Sequence, residues 1–340
     1  MPFLCRGFVR RLTTGTVAAA LAAGPAACGS DSAASADKPV DSPPGTVTVG
    51  TLSNGAAKQT DIKVSQVAAI RDELPASVIR SGRLVFGLGA LPDSFPPVAF
   101  VGSDQQTLTG SELDLARLVA AVLGLKPVVK NSTWENLFVG IDSGKTDIGI
   151  SNITDTEERK KKYDIASYRM DNVGFEVLAS STWNFHGDYE NLAGKTVAVD
   201  SGTNQERILL QWRARLRAKG EKLTIKHFPG RNSIYLALYG RKIDAYFGPD
   251  PGVVYHVTQA ARTANPTRAA GTFSGAGDSL QGLIGAASKK GSGLAKPVAD
   301  AINCLIRNGQ YAKWLAAWKL SNEAVSTSQV NPPGLPLDNS

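Results

Sequence analysis

The side chains able to do chemistry in this chain are dispersed along it. Three cysteines, Cys5, Cys28 and Cys304, and three histidines, His186, His227 and His256, fall at no metal-ligand spacing, which predicts neither a metal site nor a disulfide framework. Glu112, Asp114 and Asp147 have the chemistry of paired general acids and bases. The stretch Gly87-Leu88-Gly89-Ala90-Leu91-Pro92 opens like a dinucleotide fingerprint after a strand-like run. Pro92 takes the place of the third glycine, however, and no helical pattern follows before Pro96-Pro97, which argues against nucleotide binding. Neither a Gly-x-Ser-x-Gly elbow nor a Walker A loop occurs. Taken alone, the run Arg159-Lys160-Lys161-Lys162 reads as a solvated basic surface.

A chain of 340 residues holds two medium domains or one large one. With 42% hydrophobic and 20% charged residues it has the balance of a soluble globular protein. The longest weakly polar stretch, Thr13 to Cys28, falls short of the roughly 20 apolar residues that span a bilayer. Net charge is +7, of which Arg6, Arg10 and Arg11 at the start account for three, leaving +4. The other basic residues are mostly interleaved with acids, so no nucleic-acid partner is expected.

Residues 1–27 read as a secretory signal, with a basic start, an Ala/Leu/Val stretch and small residues running into Cys28. Ala26-Ala27-Cys28-Gly29 resembles a bacterial lipobox, in which the cysteine receives a diacylglycerol. Pro25 departs from it, standing where an aliphatic residue is usual, and plain secretion is the alternative. The expected product is exported and held on the outer face of the cell membrane through lipidated Cys28. Residues 28–65, rich in Ser, Ala, Asp, Pro and Gly from Gly29 to about Asp61, are expected to form a flexible tether, since they bury too little apolar surface to offset ordering entropy.

From about Gln66 to Leu320 strand-like and helix-like segments alternate, which predicts α/β architecture. Strands are expected at Arg83–Leu88, Val128–Val129, Ile148–Ile153, Val173–Ala179, Lys195–Asp200, Ile243–Phe247 and Leu283–Ala287. Helices are expected at Glu112–Leu123, Trp134–Asp142, Gln205–Lys219, Val253–Arg262 and, as one long tail, Leu294–Trp318.

Two groups of segments carry a resemblance. The first runs Leu108-Thr109-Gly110-Ser111-Glu112-Leu113-Asp114-Leu115-Ala116, then Trp134-Glu135-Asn136-Leu137-Phe138, Gly144-Lys145-Thr146-Asp147-Ile148 and Asn152-Ile153-Thr154-Asp155-Thr156-Glu157-Glu158-Arg159. The second runs Leu192 to Thr203 and then Lys242-Ile243-Asp244-Ala245-Tyr246-Phe247. In this order they resemble the family 3 extracellular solute-binding proteins, the polar amino-acid receptors of bacterial ABC importers. The resemblance implies a two-lobe, type II periplasmic-binding-protein-like α/β fold whose lobes are joined by two crossing hinge strands. Lobe 1 would comprise residues 66–174 plus 285–325 and lobe 2 residues 175–284, leaving 326–340 as a C-terminal tail. It also implies a monomeric, non-catalytic receptor without cofactor or metal, which captures a polar amino acid or small amine and delivers it to permease subunits. The alternatives are a dehydratase-like enzyme on the same scaffold or a ligand-sensing module.

The resemblance further implies that Arg159 grips the ligand carboxylate, a planar anion that suits a bidentate guanidinium. Asn152 and Thr154 would add hydroxyl or backbone groups, and Thr203 would contribute at a helix N-terminus. Phe95 and Trp134 would form aromatic walls. The family's ammonium-binding Asp falls on Pro249, one residue before Asp250, so either a bent loop presents Asp250 in that role or the ligand is not a standard α-amino acid. Asp93 and Asp200 lie near side-chain-contacting positions, which ranks basic or amide amino acids above acidic ones unless Arg207 or Arg231 supplies a base. Within this frame Glu112, Asp114 and Asp147 take structural roles, and Cys304, in an apolar run, is expected to be buried core.

Overall fold

The computed structural model describes residues 45–228 and 230–336. The expected secretory leader, Cys28 and the first part of the expected tether lie outside the described residues. Two five-stranded mixed sheets organise the molecule. The first runs in the order Lys126–Thr133, Arg83–Leu91, Ile148–Gly149, Leu283–Lys289 and Tyr163–Met170, and the second in the order Thr224–Phe228, Thr196–Asp200, Ala245–Pro249, Asn172–Leu178 and Thr267–Ser274. The chain leaves the first lobe at Asp171, between strands Tyr163–Met170 and Asn172–Leu178, and returns through 275–282. Both crossings therefore lie a few residues ahead of the expected boundaries.

Each lobe has its own core. Helices Ser111–Leu123, Ala295–Arg307 and Gln310–Ala317 bury Leu115, Leu118, Val119, Ile302, Leu305 and Trp314 in the first. In the second, Phe175, Phe185, Trp212 and Phe247 interlock, with Phe175 and Phe247 stacked at 4.3 Å. The single helix expected over 294–318 is broken at Gly309, whose φ of 70° places it in the left-handed region that glycine tolerates best. Cys304 is buried, as its apolar neighbours lead one to expect.

The Gly-x-Gly of the first strand has a packing explanation. A Cβ on Gly87 would lie 2.7 Å from Thr146 and 2.8 Å from Leu137, and one on Gly89 would lie 3.0 Å from the Trp134 Cα. Both glycines let helix Trp134–Asp142 lie close against strand Arg83–Leu91 and so set the height of Trp134. The acids near this lobe hold backbone and ring donors. Asp147 accepts from Val85 N at 2.8 Å, and Asp114 accepts from Gly50 N at 2.7 Å and Trp318 Nε1 at 2.8 Å.

Two segments depart from expectation. Residues 45–65 do not continue the tether: Thr46–Val49 pairs antiparallel with Thr60–Lys63, and Val49, Ile62 and Val64 are buried in the first core. The hairpin is tied down by Gly50 N on Asp114 and by Lys58 N on Ala317 O at 2.9 Å. Nor do residues 326–336 hang free. Val330 bridges Ala166, and Leu335 N donates to Asp155 O at 3.1 Å while Glu157 N donates to Leu335 O at 3.0 Å. The Leu335 side chain, 0% exposed, enters the second lobe's core. The tail thus straps both lobes beside the hinge and braces the loop that leads to Arg159.

Leu335→Ala is expected to cost about 2–5 kcal/mol, the usual range for truncating a buried leucine. Urea denaturation of both proteins checks this; an unchanged midpoint would mean that the strap contributes no packing energy.

Candidate functional site

A cavity of about 250 Å³ lies between the lobes. Phe95, Trp134 and Asn152 line it from the first lobe, and Asp200, Thr203, Asn204 and Arg231 from the second. Trp134 opens helix Trp134–Asp142 behind the Thr133 N-cap, and its Nε1 crosses the cleft to donate to Gly202 O at 3.3 Å. Asn152 takes a φ of 53°, a left-handed conformation that Asn tolerates, and its Oδ1 accepts from Arg169 Nη2 at 2.6 Å. Thr203 caps helix Asn204–Ala218, accepting from Glu206 N at 3.2 Å and donating to Asp200 O at 2.7 Å. The first turn of that helix, with its open N–H groups and positive end of the dipole, borders the cavity.

The side-chain end of the cavity is built across the cleft. Arg231 lies with its guanidinium 3.9 Å from the Phe95 ring centroid, donates from Nη1 to Ser94 O at 3.4 Å, and has Nη2 3.7 Å from Asp200. Asp200 also accepts from Tyr246 Oη at 3.1 Å, and Asp93 accepts from Asn232 Nδ2 at 3.2 Å. Charge at this end is therefore mixed: Arg231, one of the two bases that the sequence left open beside the expected acids, stands next to Asp200.

Three expected residues stand elsewhere. Arg159 lines a second groove that shares Trp134, Glu135, Thr203 and Asn204 with the cavity, along with Arg207. Its Nη1 donates to Thr154 O at 2.8 Å and its guanidinium lies 5.2 Å from the Trp134 ring. Desolvation lowers Arg159 to about 10, against the pull of Asp171, Asp155 and Tyr163. Thr154 spends its hydroxyl on Asp171 Oδ2 at 2.8 Å and does not line the cavity. Asp250 is turned away altogether: it opens helix Asp250–Ala260 with Pro251 next to it, packs against Gly174, and lines a separate pocket with Trp318 and Glu323. Pro249 takes its place at the cavity wall.

Sequence reasoning passed over Asp171. This hinge residue is buried, and its Oδ2 accepts from Thr154 in the first lobe and from Asn204 Nδ2, at 3.0 Å, in the second. An acid at the single residue that separates strands Tyr163–Met170 and Asn172–Leu178 was the signal available. Gly275 packs against it so closely that a Cβ there would overlap Oδ2. Among the described residues no cluster of His, Cys, Asp and Glu has metal-binding geometry, and no helix is long and apolar enough to cross a membrane.

Two α/β lobes joined by two crossings, with an aromatic-walled polar cavity between them, define a two-lobe binding protein of the type II periplasmic-binding-protein-like fold. Residues 89–321 match the bacterial extracellular solute-binding proteins, family 3, and the chain belongs to that family. It is 29% identical over 268 residues to an arginine-binding protein of Corynebacterium glutamicum, covering 78% of this chain and 83% of that one. It is 33% identical to the L-cystine-binding protein of Escherichia coli over 147 residues, 43% of this chain and 53% of that one. The solved structure of an ancestral arginine-binding protein bound to arginine superposes with a TM-score of 0.59 at 26% identity, covering 70% of this chain and 98% of that one.

Burial raises the Asp171 carboxyl from 3.8 to about 6 despite its hydrogen bonds and the nearby arginines. A carboxyl that binds its proton more tightly when folded favours the native state below its unfolded value, and that contribution is lost as pH rises through about 6. Asp155 and Glu323, each raised to about 7 chiefly by burial, act in the same direction. Asp171→Asn is expected to reduce the fall in unfolding free energy between pH 4 and pH 7 by about 2 kcal/mol, most of the two-unit shift at 1.36 kcal/mol for each unit. Urea melts across that range check it; an unchanged slope would assign the titration to other groups.

Proposed function

We propose that the protein captures a polar amino acid or related small amine in the interlobe cavity and hands it to the membrane subunits of an ABC importer without altering it. The observation that carries this reading is the cavity itself, walled by Phe95 and Trp134 and bordered by the first turn of helix Asn204–Ala218, in a chain of this family. The ligand carboxylate would sit at the rim shared with the Arg159 groove, within reach of the guanidinium and the helix N–H groups. With Asp250 facing a different pocket, and Asp93 and Asp200 engaged by Asn232 and by Arg231 and Tyr246, Glu135 is the lining carboxylate left to meet an ammonium. Lobe closure would then be stabilised by contacts that the ligand makes to both sides. The names of relatives that bind arginine or L-cystine support an amino-acid ligand.

A thermal-shift screen of the common amino acids and cystine tests this directly. A true ligand at 100 times its Kd stabilises the fold by about 2.7 kcal/mol. Arg159→Ala should lose most of that gain, and the ligand should be recovered chemically unchanged. No shift with any compound, or conversion of the bound one, would overturn the proposal.

The same reading places the receptor outside the cell. Cleavage after residue 27 and acylation of Cys28 would hold it at the membrane, since several acyl chains anchor stably where one does not. Residues 29–44 would then serve as a spacer. Labelled fatty acid should enter the wild type and not Cys28→Ser; equal labelling of the two, or of neither, would exclude the anchor.

A further inference from the structure

We infer that Arg231 determines specificity, and that the side-chain end of the cavity takes an amino acid ending in a carbonyl or carboxylate oxygen rather than a cation. The inference rests on the amino-acid reading above and narrows it. Its basis is what already occupies the Phe95 wall. A flat ring in a binding cleft attracts a cationic side chain through its negative face. Here that face holds a guanidinium from the opposite lobe, 3.9 Å from the ring centroid. The usual partner of such a cation, a carboxylate, is committed as well: Asp200 lies 3.7 Å from Arg231 Nη2 and accepts from Tyr246 Oη. The chain thus supplies from within the cation–ring–carboxylate arrangement that an arginine or lysine ligand would otherwise complete.

Arg231 is also left with donor capacity. Nη1 reaches Ser94 O at the long distance of 3.4 Å, and Nε is buried without a hydrogen-bond partner in the chain. A guanidinium carries five N–H groups and no acceptor, so what it lacks is an oxygen. A ligand amide or carboxylate at this end supplies one. A second cation would face Arg231 across a low-dielectric cavity and find Asp200 already paired. Asp93, held by Asn232 N and Nδ2, is similarly occupied.

Calorimetric titration with glutamine, glutamate, arginine and lysine tests the inference. The wild type should bind at least one of the first two more tightly than either base. Arg231→Met should weaken the preferred ligand by about thirtyfold or more, the cost of removing one partner from a buried charged pair, and should narrow its advantage over arginine. Asp200→Asn, which frees Arg231 from its partner, should strengthen that ligand relative to arginine, and it provides a test should Arg231→Met not fold. Tighter binding of arginine or lysine by the wild type, or a ranking unmoved by both substitutions, would overturn the inference and leave amino-acid capture standing. Failure of every amino acid to bind would overturn both.

Discussion

A guanidinium with no access to water sits where the first lobe meets the hinge, and much of the architecture is arranged to accommodate it. Arg169 is 0% exposed. It pairs with Glu112 at 3.2 Å, with Glu323, and with Asn152 Oδ1 at 2.6 Å. An isolated buried charge costs far more than a domain's net stability, so these acceptors have to be present together. Each comes from a different part of the chain: the first turn of helix Ser111–Leu123, the segment after the last long helix, and the loop that lines the cavity. Tyr168, next in the strand, donates to Glu112 as well. Helix, C-terminal segment, hinge strand and ligand loop are thereby held in register around one charge, and the left-handed turn at Asn152 is fixed by the same contact.

Two residues further along, Asp171 applies the same constraint across the hinge. Its carboxylate joins Thr154 of one lobe to Asn204 of the other, so the crossing is polar as well as covalent. Nearer the cleft mouth, Trp134 meets Gly202 and Arg231 meets Phe95 and Ser94. These contacts use long side chains and single hydrogen bonds rather than a continuous apolar interface. An interface of that kind separates more readily than a packed core, as a cleft that admits and releases a ligand requires.

How much of this was legible in the sequence follows from the kind of contact involved. Apolar runs declared the strands at Arg83, Ile148, Thr196 and Leu283, and helical spacing declared Ser111–Leu123 and Asn204–Ala218. Strand Thr224–Phe228 and helix Arg231–Tyr239 went unassigned, because Lys226 and His227 face solvent and the short helix buries few side chains. The N-terminal hairpin and C-terminal strap read as part of a tether and as a tail for a related reason. Their composition is polar and Pro- or Gly-rich, and what folds them is long-range: Gly50 on Asp114, Leu335 in a core contributed by the other lobe. Within the site, Phe95, Trp134, Asn152, Asp200 and Thr203 are brought to one cavity, whereas the direction of Asp250 depends on a helix that starts at Asp250 itself, directly after a strand ends at Pro249. Spacing places a residue at a strand end; it does not say which way the side chain turns.

The central claim, that an amino acid is held between the lobes by groups from both, is most directly tested by a crystal structure of the protein grown with the amino acid that stabilises it most. The account predicts ligand density in the cavity, its carboxylate between Arg159 and the N–H groups of Asn204 and Gln205, and its side chain toward Arg231. An empty cavity, or a ligand contacting one lobe alone, would contradict it.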